Sequence, residues 1–297
     1  NLALRAMLRP RDRVLTTAFE HSSVVRPLRQ FARERELELV VLPPDAQGGL
    51  EPAAVEAALL QHAPQLLVFS HASNVTGERF DAASFCRTAR AAGCRSLVDA
   101  SQTAGLCDLA VGADVLVASA HKALHGPPGL GFVTARPELD LLPQKQGGTG
   151  SSKALADHPH TWPQAFEAGT PNTPAIFGLA AALAWLDQEG EPKLAERALQ
   201  RRRQLVEGLS ALPDVRVLAP KPASAVPVVS FVHTHYDPAE IGAILAANGV
   251  HARTGFHCAP WLHDAIGTAA AGTVRLSPGP STSAEDVERA LALLRSL

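Results

Sequence analysis

Short apolar runs alternate with amphipathic stretches through the first half of the chain. Strands are predicted for the apolar runs at 14–15, 37–42, 66–69, 96–99, 115–118 and 131–134. Helices are predicted for residues 1–8 and for the amphipathic stretches at 22–34, 51–61 and 81–92. Because repeated strand–helix–strand units give parallel sheets covered on both faces, the pattern predicts an α/β fold. The last two runs are joined too tightly for a helix, so we expect that pair to be antiparallel.

The second half of the chain has a different pattern. Residues 144–163 are rich in Gly, Ser, His and Pro and predict a long loop. Two helices are then predicted at about 174–188 and 192–212, followed by strands at 215–218, 226–232 and 273–277 and helices at 238–248 and 284–297. We therefore expect a large domain over residues 1–188 and a smaller α+β domain over 189–297.

Composition narrows the class of protein. The chain has 297 residues, 46% of them hydrophobic, and a net charge of −2. We find no basic stripe, the nearest run being residues 201–203, and expect no nucleic-acid partner. Neither an apolar stretch of the ~20 residues that a membrane helix needs nor a secretory leader is visible, so we expect a cytoplasmic protein without a membrane partner. Four cysteines without a CxxC pair argue against a disulfide framework.

A carboxylate and a lysine follow two of the predicted strands. Asp99 ends one apolar run, and Lys122 comes shortly after the next. Ligand chemistry in open α/β sheets lies at the carboxyl ends of strands. A buried lysine favours its neutral amine and can form a Schiff base, while a carboxylate keeps a pyridine nitrogen protonated. With Gln102, Ser119 and His121 nearby as hydrogen-bonding groups, the pattern favours pyridoxal 5'-phosphate (PLP) over the alternative of solvated loop residues.

Two other patterns in the sequence do not indicate a ligand site. The glycines at 126–131 have the wrong spacing for a dinucleotide fingerprint and precede a strand, which excludes that reading. The histidines at 158, 160, 233 and 235 lack the spacing of a metal site, and we expect no metal.

Downstream, Cys258 lies in a loop with Arg253 and His257, whose positive charges would stabilise its thiolate.

With these motifs in place, the chain resembles the cysteine desulfurases, class V members of the aspartate aminotransferase superfamily with PLP fold type I. The likeness extends over nearly the whole chain, and its Arg-x-Gly-x-His-Cys form is similar to the branch that includes selenocysteine lyases. Seven ordered blocks carry it, at residues 20–23, 70–77, 98–102, 119–122, 166–172, 253–258 and 274–278.

The resemblance implies a role for each residue around the ring of the cofactor. His21 would stack on the pyridine; the alternative is a half-buried histidine that caps the next helix. Asp99 would pair with the ring nitrogen and Gln102 with the phenolic oxygen. Asn74 would contact the phenolic side or the substrate. Lys122 would bind the aldehyde as a Schiff base.

The resemblance also implies residues for the phosphate and for the substrate. Ser119 and His121 would hold the phosphate, and Thr170 would reach the phosphate of the neighbouring subunit in a homodimer. The alternative for Thr170 is a turn residue before a proline. Arg275 would bind the substrate carboxylate, with Arg253 a weaker candidate nearby. A surface arginine on a strand is the alternative for Arg275.

The implied reaction converts L-cysteine to L-alanine and leaves a persulfide on Cys258 for an acceptor protein. Lys122 would remove the α-proton. Alternatives are a selenocysteine lyase, another class V lyase or aminotransferase, and a non-catalytic relative that binds a sulfur-transfer partner. Relatives carry a further N-terminal segment with a turn against the phosphate, so we expect weaker cofactor binding if the chain begins at Asn1.

Overall fold

Six strands form the central sheet of the computed structural model, which describes residues 1–150, 156–218 and 225–297. The strands are β1 (Arg13–Thr17), β2 (Glu38–Leu42), β3 (Leu66–Ser70), β4 (Arg95–Asp99), β5 (Val115–Ser119) and β6 (Gly131–Ala135). Their order in the sheet is β2-β1-β3-β4-β5-β6. All neighbours are parallel except β5 and β6, which pair antiparallel. The prediction of a mostly parallel sheet with one antiparallel pair is confirmed.

Helices cover this sheet on both faces, as the amphipathic pattern predicts. They are α1 (Leu2–Met7), α2 (Ser22–Glu34), α3 (Pro52–His62) and α4 (Ala82–Ala91). One apolar core includes residues of α1 and α2, and a second includes residues of α3 and α4. Every residue of β3 is buried because the strand lies inside the sheet with packing on both faces. The α/β fold class predicted from the sequence is thereby confirmed.

A second sheet forms in the C-terminal part of the chain. Two long helices precede it, α5 (Thr173–Glu189) and α6 (Glu191–Ser210). Its antiparallel order is β7-β8-β10-β9, and its helices add a core of their own. These elements are β7 (Val215–Leu218), β8 (Val229–His233), α7 (Pro238–Ala247), β9 (Arg253–Gly255), α8 (Pro260–Ala265), β10 (Thr273–Leu276) and α9 (Ala284–Arg295). The domain boundary at 188/189 stays a prediction.

The structure differs from the sequence expectations in three places. The predicted strand at 226–232 begins only at Val229, because Val226 N–H donates to Gly77 O instead of to a sheet neighbour. The strand β9 and the helix α8 were not predicted, since each is very short and the first lies within the expected cysteine loop. Within the predicted loop 144–163, residues 151–155 lie outside the described residues, and the remainder contains no helix or strand. Among the helices of the described ranges, none combines the length and apolarity needed to cross a bilayer.

Candidate active site

Polar side chains end three neighbouring strands at one edge of the central sheet. Ser70 ends β3, Asp99 ends β4 and Ser119 ends β5. Ser70 and Asp99 are direct partners in the sheet register. The turn that follows β4 brings Ser101 back, and its N–H donates to the Asp99 carboxylate at 2.9 Å. The parallel topology therefore collects these groups in one place, as the strand-end argument predicts.

Two adjoining pockets lie at this edge. The smaller is lined by His21, Ser70, Ala72, Asn74, Asp99, Ser101, Gln102 and Lys122. The larger has a volume of about 300 Å³ and shares Gln102 and Lys122 with the smaller one. Arg275 lines the larger pocket. The structure thus brings together the five residues that the sequence suggests for the cofactor ring, with the candidate carboxylate-binding arginine beside them.

Lys122 is half-buried in the turn after β5. Burial lowers the pKa of its amine; the charge of Arg275 acts in the same direction, and Asp99 opposes both. A lower pKa increases the fraction of neutral, nucleophilic amine. The turn is held by Gly126 N–H, which donates to Ala120 O at 2.8 Å. A Cβ at Gly126 would lie 2.9 Å from a Leu179 methyl group of α5 and 3.0 Å from Ala120 O, so a larger residue there would have to displace these neighbours.

His21 caps a helix and also lines the smaller pocket, while its stacking on a pyridine ring stays a prediction. It is the N-cap of α2, where its Nδ1 accepts a hydrogen bond from Ser23 N–H at 3.1 Å. Its ring also lines the smaller pocket. Burial lowers the pKa of His21, and the charge of Lys122 lowers it further. The capping hydrogen bond holds the imidazole at the wall of the pocket. Acting as a helix cap therefore does not prevent His21 from being part of the site.

The loop that carries Cys258 is tied to the pocket from two sides. Ser22 N–H donates to Cys258 O at 2.6 Å, and Asn74 Nδ2 donates to His257 O at 2.6 Å. His257 and Cys258 have positive φ angles of 46° and 60°, a region that residues with a Cβ rarely adopt. His257 is buried and its Nε2 lies 2.8 Å from Thr273 Oγ1. The thiol of Cys258 is left exposed on a fixed backbone.

Arg275 connects this loop with the second sheet. Its Nη1 donates to Asn74 O at 2.9 Å, and its Nε is buried without a partner among the described residues. Arg253 lies opposite it in the register of β9 and β10. Burial lowers the pKa of the Arg275 guanidinium, the charge of Arg253 adds to that effect, and Cys258 opposes it. Asn74 therefore links the candidate substrate arginine with the backbone of the cysteine loop.

Five of the suggested site residues line neither pocket, namely Ser119, His121, Thr170, Arg253 and Cys258. Ser119 Oγ lies 3.3 Å from Ser101 Oγ, which lines the smaller pocket. His121, Thr170 and Arg253 are exposed. The roles suggested for these five residues stay predictions.

One buried acid in the site was not predicted. Glu20 directly precedes His21 and is fully buried. Its Oε1 accepts hydrogen bonds from Thr17 Oγ1 and Ser70 N, and its Oε2 accepts one from Ser70 Oγ. Burial raises the pKa of Glu20 to about 7. The sequence feature that could have indicated Glu20 is the presence of an acid between the end of β1 and the start of α2.

The mostly parallel sheet, its polar strand ends and the antiparallel sheet beside them define PLP-dependent transferase fold type I. The sequence profile described as aminotransferase class-V matches residues 1–290. The chain belongs to the class-V aminotransferase family.

Individual relatives are consistent with this assignment. A probable cysteine desulfurase of Pseudomonas aeruginosa is 35% identical over 305 residues, covering 99% of this chain and 74% of the relative. A cysteine desulfurase of Klebsiella pneumoniae is 33% identical, covering 84% of this chain and 62% of the relative. The apo structure of cysteine desulfurase from Thermococcus onnurineus NA1 superimposes with a TM-score of 0.91 at 29% identity, covering 99% of this chain and 74% of that one.

Proposed function

We propose that this chain is a PLP-dependent cysteine desulfurase that converts L-cysteine to L-alanine and carries the released sulfur as a persulfide on Cys258. The names of its relatives support the reaction. The observation that carries the proposal is the position of the cysteine loop, which is hydrogen-bonded to Asn74 and to the start of α2 beside the pocket of Lys122 and Asp99.

The residues of the pocket suit the cofactor. Asp99 would hold the pyridine nitrogen, Gln102 the phenolic oxygen and His21 the ring face, while Lys122 would bind the aldehyde. When bound, PLP supplies an electron sink for the charge left after removal of a proton from the substrate Cα. The buried Asp99 and the lowered pKa of the Lys122 amine are the two properties of the chain that this chemistry requires.

Arg275 is suited to orient the substrate. Its Nη1 is bound to Asn74 O, whereas its Nε is buried and unpartnered among the described residues. An unpaired buried donor is costly, and a substrate carboxylate would satisfy it. Carboxylate binding here would place the substrate between Lys122 and the cysteine loop, since Arg275 lines the pocket of the lysine and the charge of Cys258 acts on its guanidinium.

Lys122 and Cys258 carry out different steps of the proposed reaction. The neutral amine of Lys122 accepts the proton from the substrate Cα. The Cys258 thiolate attacks the substrate sulfur, so that an S–S bond forms while the Cβ–S bond breaks. The electron pair of the broken bond goes to Cβ, which takes a proton and becomes a methyl group, and Lys122 returns a proton to Cα to complete alanine. The persulfide left on Cys258 is exposed to an acceptor, because the thiol is exposed.

Further parts of the proposal concern the assembly. We propose a homodimer in which Thr170 reaches the phosphate of the other subunit, a cytoplasmic location and a protein acceptor for the sulfur. The exposure of Thr170 is compatible with a role outside its own pocket.

Two variants of the PLP-loaded protein test the function. Sulfide and alanine are measured after addition of L-cysteine and dithiothreitol. Lys122→Ala should lose the visible absorbance of bound PLP and form neither product. Cys258→Ser should retain the absorbance but form no sulfide, while the control Cys107→Ser, at a half-buried thiol elsewhere, should match the parent. Parent-like sulfide formation by Cys258→Ser would refute the persulfide role, and no alanine from the parent protein would refute the reaction.

A further inference from the structure

Three arginines lie along the exposed side of α2. Arg26, Arg29 and Arg33 are all exposed, and their spacing of three and four residues puts them on one helical face. The opposite face of α2 is buried and includes Val25 and Leu28. We call Arg26, Arg29 and Arg33 the arginine stripe. At 1.5 Å per residue it extends for about 10 Å along the helix.

The stripe lacks the acidic partners that exposed arginines on helices commonly have. None of its three side chains has an ion pair or a hydrogen bond within the described ranges. Glu34, the acid within α2, accepts a hydrogen bond from Gln30 at 2.6 Å. The first turn of α2 contains no acid to balance the positive helix terminus. A local excess of positive charge therefore remains on a chain whose net charge is −2.

The stripe begins at the cysteine loop. The first residue of α2, Ser22, donates its N–H to Cys258 O at 2.6 Å. The N-cap His21 lines the pocket, and its pKa is lowered by burial, by Lys122 and, to a smaller extent, by Arg26. Arg26 is therefore within electrostatic range of the site. The positive face runs from the neighbourhood of the exposed thiol toward the other end of the helix.

We propose that the arginine stripe is the docking surface for an acidic segment of the protein that accepts sulfur from Cys258. The inference rests on the proposed function, because a persulfide must be passed to a thiol that approaches Cys258 from outside. An acceptor whose cysteine lies beside a run of Asp or Glu would place that run on α2. Opposite charges would speed encounter and set the orientation of the acceptor.

A protein segment fits this surface better than a nucleic acid does. The recipient atom is a thiol, which a protein cysteine supplies. The stripe holds three cations on one helix, and specific nucleic-acid interfaces use more extensive positive surfaces. The sequence showed no basic stripe in this region, because these arginines are not consecutive. They lie on one face only when the segment forms a helix.

The test uses the PLP-loaded protein and three synthetic peptides of equal length. Each has one central cysteine, flanked by glutamate, glutamine or lysine. Cys258 is first loaded from L-cysteine, excess substrate is removed, and persulfide transfer to the peptide is followed by mass spectrometry. We expect the glutamate peptide to react about tenfold faster than the lysine peptide, with the ratio falling toward one at high salt.

Charge reversal provides the decisive comparison. The triple variant Arg26→Glu, Arg29→Glu, Arg33→Glu should invert the ratio of the two rates. The matched control Arg87→Glu, Arg197→Glu, Arg216→Glu changes the same charge at exposed arginines on α4, α6 and β7 and should keep the parent ratio. Comparing this ratio between the parent and each variant cancels the difference in intrinsic thiol reactivity between the two peptides, because that difference is the same for every protein tested.

The outcomes separate this inference from the proposed function. If the parent forms no persulfide from L-cysteine, the function fails. If persulfide and dithiothreitol-dependent sulfide form normally but the glutamate and lysine peptides react equally, or the stripe variant keeps the parent ratio, the docking surface is refuted alone. Suppression of glutamate-peptide transfer by a short single-stranded RNA at matched total charge, stronger than by polyglutamate, would overturn the choice of a protein segment.

Discussion

Replacing Glu20 with glutamine should stabilise the protein at alkaline pH and leave its stability unchanged at acidic pH. Glu20 is fully buried, and burial raises the pKa of its carboxyl from 4.5 to about 7. The folded state therefore binds a proton that the unfolded state releases between these values. The unfavourable contribution of Glu20 to folding is absent below pH 4.5, grows as the pH rises and is complete above about 7. At about 1.4 kcal/mol per pH unit it reaches about 3 kcal/mol.

The glutamine variant removes this ionisation and keeps the shape. Its carbonyl can accept the bonds that Thr17 Oγ1 and Ser70 N donate, and its amide can donate to Ser70 Oγ. Free energies of unfolding from urea titrations at pH 5 and pH 8 measure the effect. Glu56→Gln, an exposed position on α3, serves as the control and should show no pH-dependent difference from the parent. An equal difference between Glu20→Gln and the parent at both pH values would show that the carboxyl does not titrate in this interval.

Three further predictions concern backbone space and buried groups. Gly77→Ala should cost at least about 1 kcal/mol more unfolding free energy than Gly93→Ala, because both glycines have positive φ but only the Cβ at Gly77 would meet a carbonyl oxygen, at 2.5 Å; equal losses would contradict this. Iodoacetamide at pH 8 should alkylate the exposed Cys258 and spare Cys86 until unfolding, since burial raises the pKa of Cys86 to about 11; comparable mass-spectrometric labelling of the folded protein would argue against it. Burial lowers the pKa of His257 to about 3, so its ring NMR signals should not titrate between pH 5 and 8, and a midpoint near 6.5 would disprove that burial.

The strand-end residues could be predicted from the sequence because their position depends on topology alone. Asp99 and Lys122 each follow an apolar run, and the carboxyl ends of parallel strands meet at one edge of a sheet. The same argument predicts that Ser70, at the end of β3, lies at this edge of the sheet. Glu20 escaped it because a fully buried carboxyl is rare and nothing in its local pattern shows that Thr17 and Ser70 supply donors.

The position of Cys258 beside the pocket could not be derived from the periodicity of the sequence. It depends on contacts between residues far apart in the chain, since Asn74 and His257 are 183 positions apart. It also depends on positive φ at His257 and Cys258, where no glycine signals the turn. Only the resemblance to a family placed this cysteine near the cofactor. The arginine stripe was missed for a related reason, because its members are separated by uncharged residues in the sequence and share a face only in the helix.

The hydrogen bonds of Asn74 connect the loop of Cys258 with Arg275, the candidate arginine for the substrate carboxylate. Its backbone O accepts from Arg275 Nη1 at 2.9 Å, and its side-chain Nδ2 donates to His257 O at 2.6 Å. One buried residue thus holds β10 and the cysteine loop against the end of β3. The bond to His257 O is buried and the bond from Arg275 is partly buried, so loss of either would leave a polar group with less access to water, and the two positions are held together. A substrate bound by Arg275 would therefore meet Cys258 at a separation that the contacts of Asn74 set.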